Sequence, residues 1–386
     1  MAVLLLVGLI AQQPASLPPA PPPPPPPPAK RTLEFTGTVL MNSFYNSALT
    51  NNSDVPTTAA LDTLGVTGGS ATVRQTRVGA LLTDPDVLGG TFTGELDLDF
   101  YGGQLATFSN RTFPVLRVRR AIGVMQWTHM QVLVGQEAPL ISERNPLSLA
   151  SIGVPGFTTA GNLWLWIPQI RVTGEYGYTL RLALQGALLA PIAGGVQGPV
   201  NTQPDSGERT SRPYIQGRVR LGWGPADDPS EVAIGGHIGW VVGLDSTTGD
   251  TLQKSNAVSF DTRLRFGTLE FLGEAYSGQA VAGLGGGAIG QNFGVGGAPV
   301  HSKGGWGQLN VRPRAGWMFG GGCGLDDPND ADIPATGRFR NFVCEGHVEW
   351  RPGPLVLGFE FRRLETRYQT GDFVVNHLNL ATGFRF

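Results

Sequence analysis

The chain has 386 residues, with 56 glycines, 30 prolines and a formal charge of −2. Glycine stands at about twice its ordinary usage, and charged residues, at 15%, fall well below the roughly 25% of soluble domains. The balance of 28 basic against 30 acidic residues offers no uniform field for nucleic acid, and no run reaches the ~18 apolar residues of a membrane helix.

The N-terminus opens on a nine-residue apolar block, residues 2–10 (AVLLLVGLI), the length of a signal-peptide core and too short to span a bilayer. Ala11, Ala15 and Ser16 suit cleavage, although no Lys or Arg precedes the block. Residues 1–15 are therefore read as a signal peptide. Residues 16–30 hold eight consecutive prolines, Pro21 to Pro28, which can only be polyproline II, a stiff rod rising ~3.1 Å per residue. This segment is read as a proline-rich periplasmic arm, most simply a linker.

From residue 31 onward nothing reads as a helix, and period-2 alternation dominates. In residues 91–101 (TFTGELDLDFY), Phe92, Gly94, Leu96, Leu98 and Phe100 share one face; Thr93, Glu95, Asp97, Asp99 and Tyr101 share the other. Residues 179–185, 214–223 and 258–266 repeat the pattern, each setting large apolar residues against arginine. Strands are predicted near 32–44, 70–83, 91–101, 114–126, 128–137, 163–173, 177–187, 213–223, 231–242, 256–266, 268–278, 304–312, 314–321, 338–350, 355–366 and 373–386. Long connections follow the odd strands and short ones the even strands. That alternation, with a strand at the C-terminus, predicts an all-β fold over 31–386. It is a transmembrane up-and-down antiparallel β-barrel of about 16 strands, with long external loops and short periplasmic turns. A soluble sandwich or propeller would bury the apolar face against a second layer. Here the second face is rich in ionised groups, which suits a wet lumen. Trp127, Trp164, Trp166, Trp223, Trp240, Trp306 and Trp350 fall near strand ends, where an interfacial girdle needs them.

No catalytic constellation emerges. The five histidines lie apart without ligand spacing, and no G-x-S-x-G occurs. The G-x-G-x-x-G at Gly285, Gly287 and Gly290 has no helix pattern behind it and reads as a flexible loop. Neither an enzyme nor a cofactor is expected. Cys323 and Cys344, separated by 21, flank the connection 322–337 and are a candidate disulfide between strands 13 and 14. Asp326, Asp327, Asp330 and Asp332 between them are a weak Ca²⁺ candidate; a solvated turn is the simpler reading, since EF-hand spacing is absent. The third long connection, 138–162, is partly apolar and is expected to fold into the lumen.

The lumen-facing register carries the candidate pore-lining residues. They are Arg77, Arg117, Arg119, Arg171, Arg181, Arg218, Arg220, Arg263, Arg265 and Arg312, with Glu95, Asp97, Glu345, Glu349 and Glu360. Arginine presents a planar fork matched to carboxylate and phosphate. Strands 2 and 4 flank acidic strand 3, so their arginines are expected to pair. Arg171, Arg181, Arg218, Arg220, Arg263 and Arg265 lie on acid-poor strands and are expected to form a free basic wall. Glu345, Glu349 and Glu360 opposite would set a transverse field across the pore.

Five stretches carry a resemblance: LRVRRA (116–121), VLVGQ (132–136), IPQIRVTGE (167–175), GEAYSGQ (273–279) and the C-terminal NHLNLATGFRF. They resemble the sixteen-stranded outer-membrane porins of Gram-negative bacteria, most of all the DcaP-like family, with short matches over most of 31–386. The resemblance implies a homotrimer, a third loop constricting each pore, and arginine-lined passage of small anions, dicarboxylates among them. On matching positions it carries over to Arg117, Arg119 and Arg171. The polyproline arm stands where that family has a coiled-coil-like region, and the PEFGG-type third loop of general porins is absent. The expectation is a passive outer-membrane channel for small hydrophilic, preferably anionic, solutes. Outer-membrane lipid and lipopolysaccharide would surround it, and no nucleic acid would bind. The competing expectation is a structural or surface-interaction barrel with a plugged lumen.

Overall fold

Sixteen antiparallel strands form one continuous wall: β1 (Thr32–Asn46), β2 (Arg77–Val87), β3 (Gly90–Asp99), β4 (Arg117–Gln126), β5 (Met130–Glu137), β6 (Ile167–Tyr176), β7 (Leu180–Leu189), β8 (Tyr214–Trp223), β9 (Ser230–Asp245), β10 (Gly249–Phe266), β11 (Leu269–Gln279), β12 (His301–Val311), β13 (Trp317–Pro328), β14 (Arg338–Trp350), β15 (Leu355–Tyr368) and β16 (Gly371–Arg385). Each pairs with its neighbours in chain order, and β1 pairs with β16 from Thr38 opposite Arg385 to Asn46 opposite His377, which closes the barrel. This computed structural model describes residues 30–386 apart from 63, 103, 107–111, 194–203 and 246–248. The predicted signal peptide and all but the last residue of the arm lie outside the described residues.

Alternation sets the two faces. On β7, Leu180, Leu182, Leu184 and Leu188 point outward and are exposed, while Ala183, Ala187 and Leu189 are buried inside. On β16, Leu378, Leu380 and Phe384 are exposed, and His377, Asn379 and Ala381 are buried. An apolar exterior around a polar interior is stable only with hydrocarbon outside, so the barrel is a transmembrane one. Trp317 stacks on Trp350 at 5.5 Å and on Phe319 at 5.8 Å at the short-turn end, with Trp223 and Tyr176 exposed at the same end. These rings form a girdle.

Three of the tryptophans predicted for the girdle are elsewhere. Trp164, Trp166 and Trp306 are buried inside, the first two edge to face at 5.0 Å and the third stacked on Phe157 at 5.8 Å. Folded-in loops supply their packing partners, which strand alternation does not reveal.

β10 begins at Gly249 rather than 256 and pairs with β9 as far as Asp245, so the long connection expected over 243–255 contracts to 246–248, and two further strands also differ from expectation. The strand predicted over 70–83 is two pieces: a short strand, Gly68–Thr72, pairs with the upper part of β1, and β2 pairs with the lower part. Between them Val73 to Thr76 leave the ladder, turning Arg74 and Gln75 into the lumen. Thr76 Oγ1 mends the gap by accepting from Leu40 N at 3.1 Å. The other case is β13, which runs to Pro328 rather than 321, so the connection 322–337 shrinks to a turn around Asp330–Asp332. Four glycines, Gly320, Gly321, Gly322 and Gly324, hide this strand because glycine packs no side chain into a sheet.

The core lies inside the barrel, where two long connections supply its apolar side chains. Leu140, Ile141 and Leu163 from the connection 138–166 pack with Val281 and Leu284 from 280–300, all five at 0–1% exposure. The two connections are knitted by Leu165 N donating to Leu284 O at 3.1 Å. Gly285, with φ +118, sits so close that a Cβ would come within 2.6 Å of the Leu165 and Trp164 nitrogens. Gly285 and Gly287 of the G-x-G-x-x-G thus serve close packing, while Gly290 has open space around it and a φ of +75.

Candidate functional site

The connection 138–166 crosses the lumen and is tied to the wall on all sides. Ile141 N donates to Gln216 of β8 at 3.3 Å, and Ser142 Oγ to Glu274 of β11 at 2.6 Å. Gln308 of β12 clamps Leu147 through both its backbone N–H (2.8 Å) and C=O (2.9 Å). Ser148 Oγ donates to Glu360 of β15 at 2.5 Å, and Asn42 of β1 donates to Leu149 O at 3.0 Å. Gln75, freed by the break before β2, donates to Ala150 O at 2.9 Å and accepts from Ile152 N at 2.7 Å and Gly153 N at 3.1 Å. Arg119 and Arg117 of β4 donate to Ile152 O and Gly153 O at 2.8 and 2.5 Å. Wall side chains thus satisfy the loop's buried carbonyls and amides and fix its path across the lumen.

Below this loop, at the short-turn end, lies a cavity of about 1600 Å³. Ten arginines line it, Arg77, Arg119, Arg120, Arg144, Arg171, Arg220, Arg312, Arg314, Arg351 and Arg385, against five acids, Glu95, Asp97, Glu137, Glu143 and Glu349. A bulge in β4, where Arg119 is the extra residue opposite Asp97 and Leu98 of β3, explains one unpredicted member. It breaks alternation on β4 so that Arg120 joins Arg119 on the inner face. Arg144 and Glu143 come from the loop, which has no period to read.

Among the predicted lining residues, Arg77, Arg119, Arg171, Arg220, Arg312, Glu95, Asp97 and Glu349 line this cavity. Arg117, Arg181, Arg218, Arg263, Arg265, Glu345 and Glu360 do not. The arginines beside strand β3 pair with it: Arg77 with Asp97 at 2.6 Å, Arg117 with Asp99 at 2.6 Å, and Arg119 with Asp97 at 3.3 Å.

The expected free basic wall is not free. Arg218, with its side chain fully covered, pairs with Asp261 at 2.7 Å and Glu143 at 2.6 Å. Arg171 also pairs with Glu143, and Arg220 with Glu175 and Glu231. Arg263 and Arg265 share Asp228 at 2.5 and 2.7 Å, and Arg263 and Arg312 share Glu270 at 2.8 and 2.7 Å. Arg181 donates instead to turn carbonyls, at 3.3 Å to Tyr178 O and Gly224 O. The counter-charges come from turns, strand ends, the inward loop and, for Arg218, Asp261 within β10. Two cavity arginines, Arg314 and Arg385, are exposed and have no side-chain partner among the described residues.

Burial pushes the Glu143 carboxyl up, but Arg218 and Arg171 outweigh it and hold Glu143 below the usual carboxylate range. Opposite, of the acids expected to set a transverse field, Glu345 and Glu360 are buried against the loop, and Glu349 lines the cavity but is paired. Glu345 accepts from His347 and Gln308 at 2.9 Å each, Glu349 from Arg351 at 2.7 Å, and Glu360 from Arg362 at 2.5 Å. Glu345, His347 and Glu360 bring ligand-type atoms within 4.8 Å of one another, yet each carboxylate already has donors.

The Ca²⁺ candidate is dispersed. Asp326 faces inward and accepts from Tyr276 and Ser302 hydroxyls at 2.8 and 2.6 Å; Asp327 is exposed on the opposite face. Asp330 and Asp332 sit in the turn, where Asp332 meets the His301 ring at 2.9 Å. Strand alternation separates what the sequence clusters. Cys323 and Cys344 lie directly opposite on β13 and β14, Cα atoms 4.1 Å apart, joined as a disulfide on the outer face.

Neither a protein-family model nor a curated protein matches the sequence. Solved structures do match the backbone. The outer membrane channel DcaP of Acinetobacter baumannii superposes with a TM-score of 0.67 at 15% identity, over 92% of this chain and 97% of that one. This is the outer-membrane porin fold. The anion-selective porin from Comamonas acidovorans shares it with a TM-score of 0.59 at 12% identity, over 92% and 100%. OmpT of Vibrio cholerae in its trimer form shares the porin fold at 0.54 and 8%, over 93% and 100%.

Proposed function

We propose that this chain is a passive channel of a Gram-negative outer membrane for small hydrophilic solutes, with a preference for anions. The observation that carries the reading is the charge of the cavity: ten arginines against five acids line a space of about 1600 Å³, and two of the arginines, Arg314 and Arg385, have no side-chain partner among the described residues. Low-dielectric walls focus such an excess, so a small anion is favoured at the entrance and a cation opposed. Among anions we propose dicarboxylates, because guanidinium forks take carboxylates in pairs of hydrogen bonds. The porin fold supports the channel; the neighbours described as an outer membrane channel and an anion-selective porin are consistent with it. Three copies, an N-terminal signal at 1–15 and a periplasmic arm at 16–30 complete the reading.

One observation favours a plugged barrel instead. The long-connection end holds a dry cluster built around Leu140, Ile141, Leu163, Val281 and Leu284. Single-channel recording in planar bilayers separates the two. Discrete conductance steps support a channel; insertion without conductance means the loops seal the lumen.

A further inference from the structure

The outer face carries an aromatic and basic cluster that a channel does not need. Trp223 marks the girdle at the short-turn end, opposite Ser230 on β9, and Trp240 lies ten residues further along that strand. At ~3.3 Å per residue and a tilt of ~40°, that rise is about 25 Å, the height of the apolar band of such barrels. Trp240 therefore marks the second interface, the one on the long-connection side. Two cations flank it there. The Arg212 guanidinium lies over the Trp240 ring at 5.5 Å, and Lys254 of β10 stands directly opposite Trp240 in the ladder. Both are exposed, and neither has an ion-pair partner among the described residues. Lysine is scarce here: only 3 of the 28 basic residues are lysines, and Lys254 is one of them.

An apolar groove of about 540 Å³ adjoins the Arg212 side of this cluster. Val134, Ile170 and Leu188 form its wall, each about half exposed (52, 54 and 51%), and Ser211 and Pro213 bracket Arg212 at its rim. Fixed cations at the interface above an outward apolar groove complement a molecule with phosphate at its head and acyl chains below. Porin-fold barrels keep long loops outside the cell, so this end meets the outer leaflet. We propose that Arg212, Trp240 and Lys254 bind a phosphate of lipopolysaccharide lipid A, with an acyl chain laid in the groove. The site is independent of conduction, because Trp240, Lys254 and the groove residues Val134, Ile170 and Leu188 all lie on the outer face.

The test is native mass spectrometry of the refolded full barrel in detergent with added diphosphoryl lipid A. Near anionic head groups each basic residue contributes roughly fivefold in affinity, so Arg212→Gln with Lys254→Gln is expected to weaken binding about thirtyfold. The charge-preserving pair Arg212→Lys with Lys254→Arg is expected to retain it. Unheated gel mobility checks that each variant is a closed barrel. On the unmodified protein, phosphate-free lipid A, phosphatidylglycerol and the deacylated phosphosugar are all expected to bind more weakly than diphosphoryl lipid A. Unchanged affinity in the glutamine variant overturns the proposal. Equal binding of phosphate-free lipid A, phosphatidylglycerol or the phosphosugar does so too, even if the glutamine variant fails to fold.

Discussion

Glu143, on the loop that crosses the lumen, accepts from Arg218 of β8 at 2.6 Å with one oxygen, while Arg171 of β6 takes the other. One carboxylate thus joins the loop to two strands of the wall, and Arg218 extends the chain of charges to Asp261 on β10. Removing a member of a buried ionic group leaves an uncompensated charge, which costs more than the pair contributes. Arg218→Gln strands part of the charge on both Glu143 and Asp261. It is expected to destabilise the barrel by about 3 kcal/mol, read as a lower temperature for conversion to the slow-migrating unfolded form on gels. An unchanged conversion temperature contradicts the strut role given to Arg218.

The same carboxylate predicts a pH response. Glu143 titrates below its ordinary 4.5 because its two arginines outweigh burial. A group with a depressed folded value stabilises the fold above the unfolded value, and that contribution disappears as pH falls through the folded one. Loop anchoring by Glu143 should therefore hold from neutral pH down through the usual carboxylate range and weaken only below it. Conductance fluctuations recorded as pH is lowered check this. Loosening that sets in above pH ~5, where a normal glutamate is still ionised, is the contrary result.

The two cysteines give a covalent check. Oxidised protein, unfolded without reductant, should show no thiol reactive with a maleimide, since Cys323 and Cys344 are joined across β13 and β14. Two titratable thiols rule the bridge out.

The wall was readable and the loops were not, for a physical reason. Period-2 alternation follows from the pleat, so residues such as Leu96 against Asp97 announce their faces in the sequence. It fails wherever the ladder is broken: at Val73 to Thr76, which delivers Gln75 to the loop, and at the β4 bulge, which delivers Arg120 to the cavity. Charge pairing was harder still. Arg171, Arg218 and Arg263 looked unopposed because their partners, Glu143, Asp261 and Asp228, sit on a loop, a non-adjacent strand and a turn. Glu143 carries the site's central contact, yet nothing in its sequence neighbourhood is periodic. Only its place in a partly apolar connection, too greasy to face water, hinted that it turns inward.

Selectivity should now reside at the cavity mouth. Arg314 and Arg385 are exposed cavity residues with no partner among the described residues, so replacing both by Gln removes positive charge without stranding an acid. Anion preference should fall, and more at 0.01 M than at 1 M salt, where the screening length shrinks from ~30 to ~3 Å. Arg181→Gln, which only releases turn carbonyls outside the cavity, should leave the preference unchanged. The reverse ranking would return selectivity to the wall arginines.

The most direct test of the central claim is the reversal potential of single channels of the unmodified protein under a salt gradient. An anion-preferring channel must show a potential of the sign set by the faster-moving anion, growing as both salt concentrations are lowered and the cavity arginines are less screened. A cation-selective potential, or a barrel that inserts and never conducts, contradicts the account.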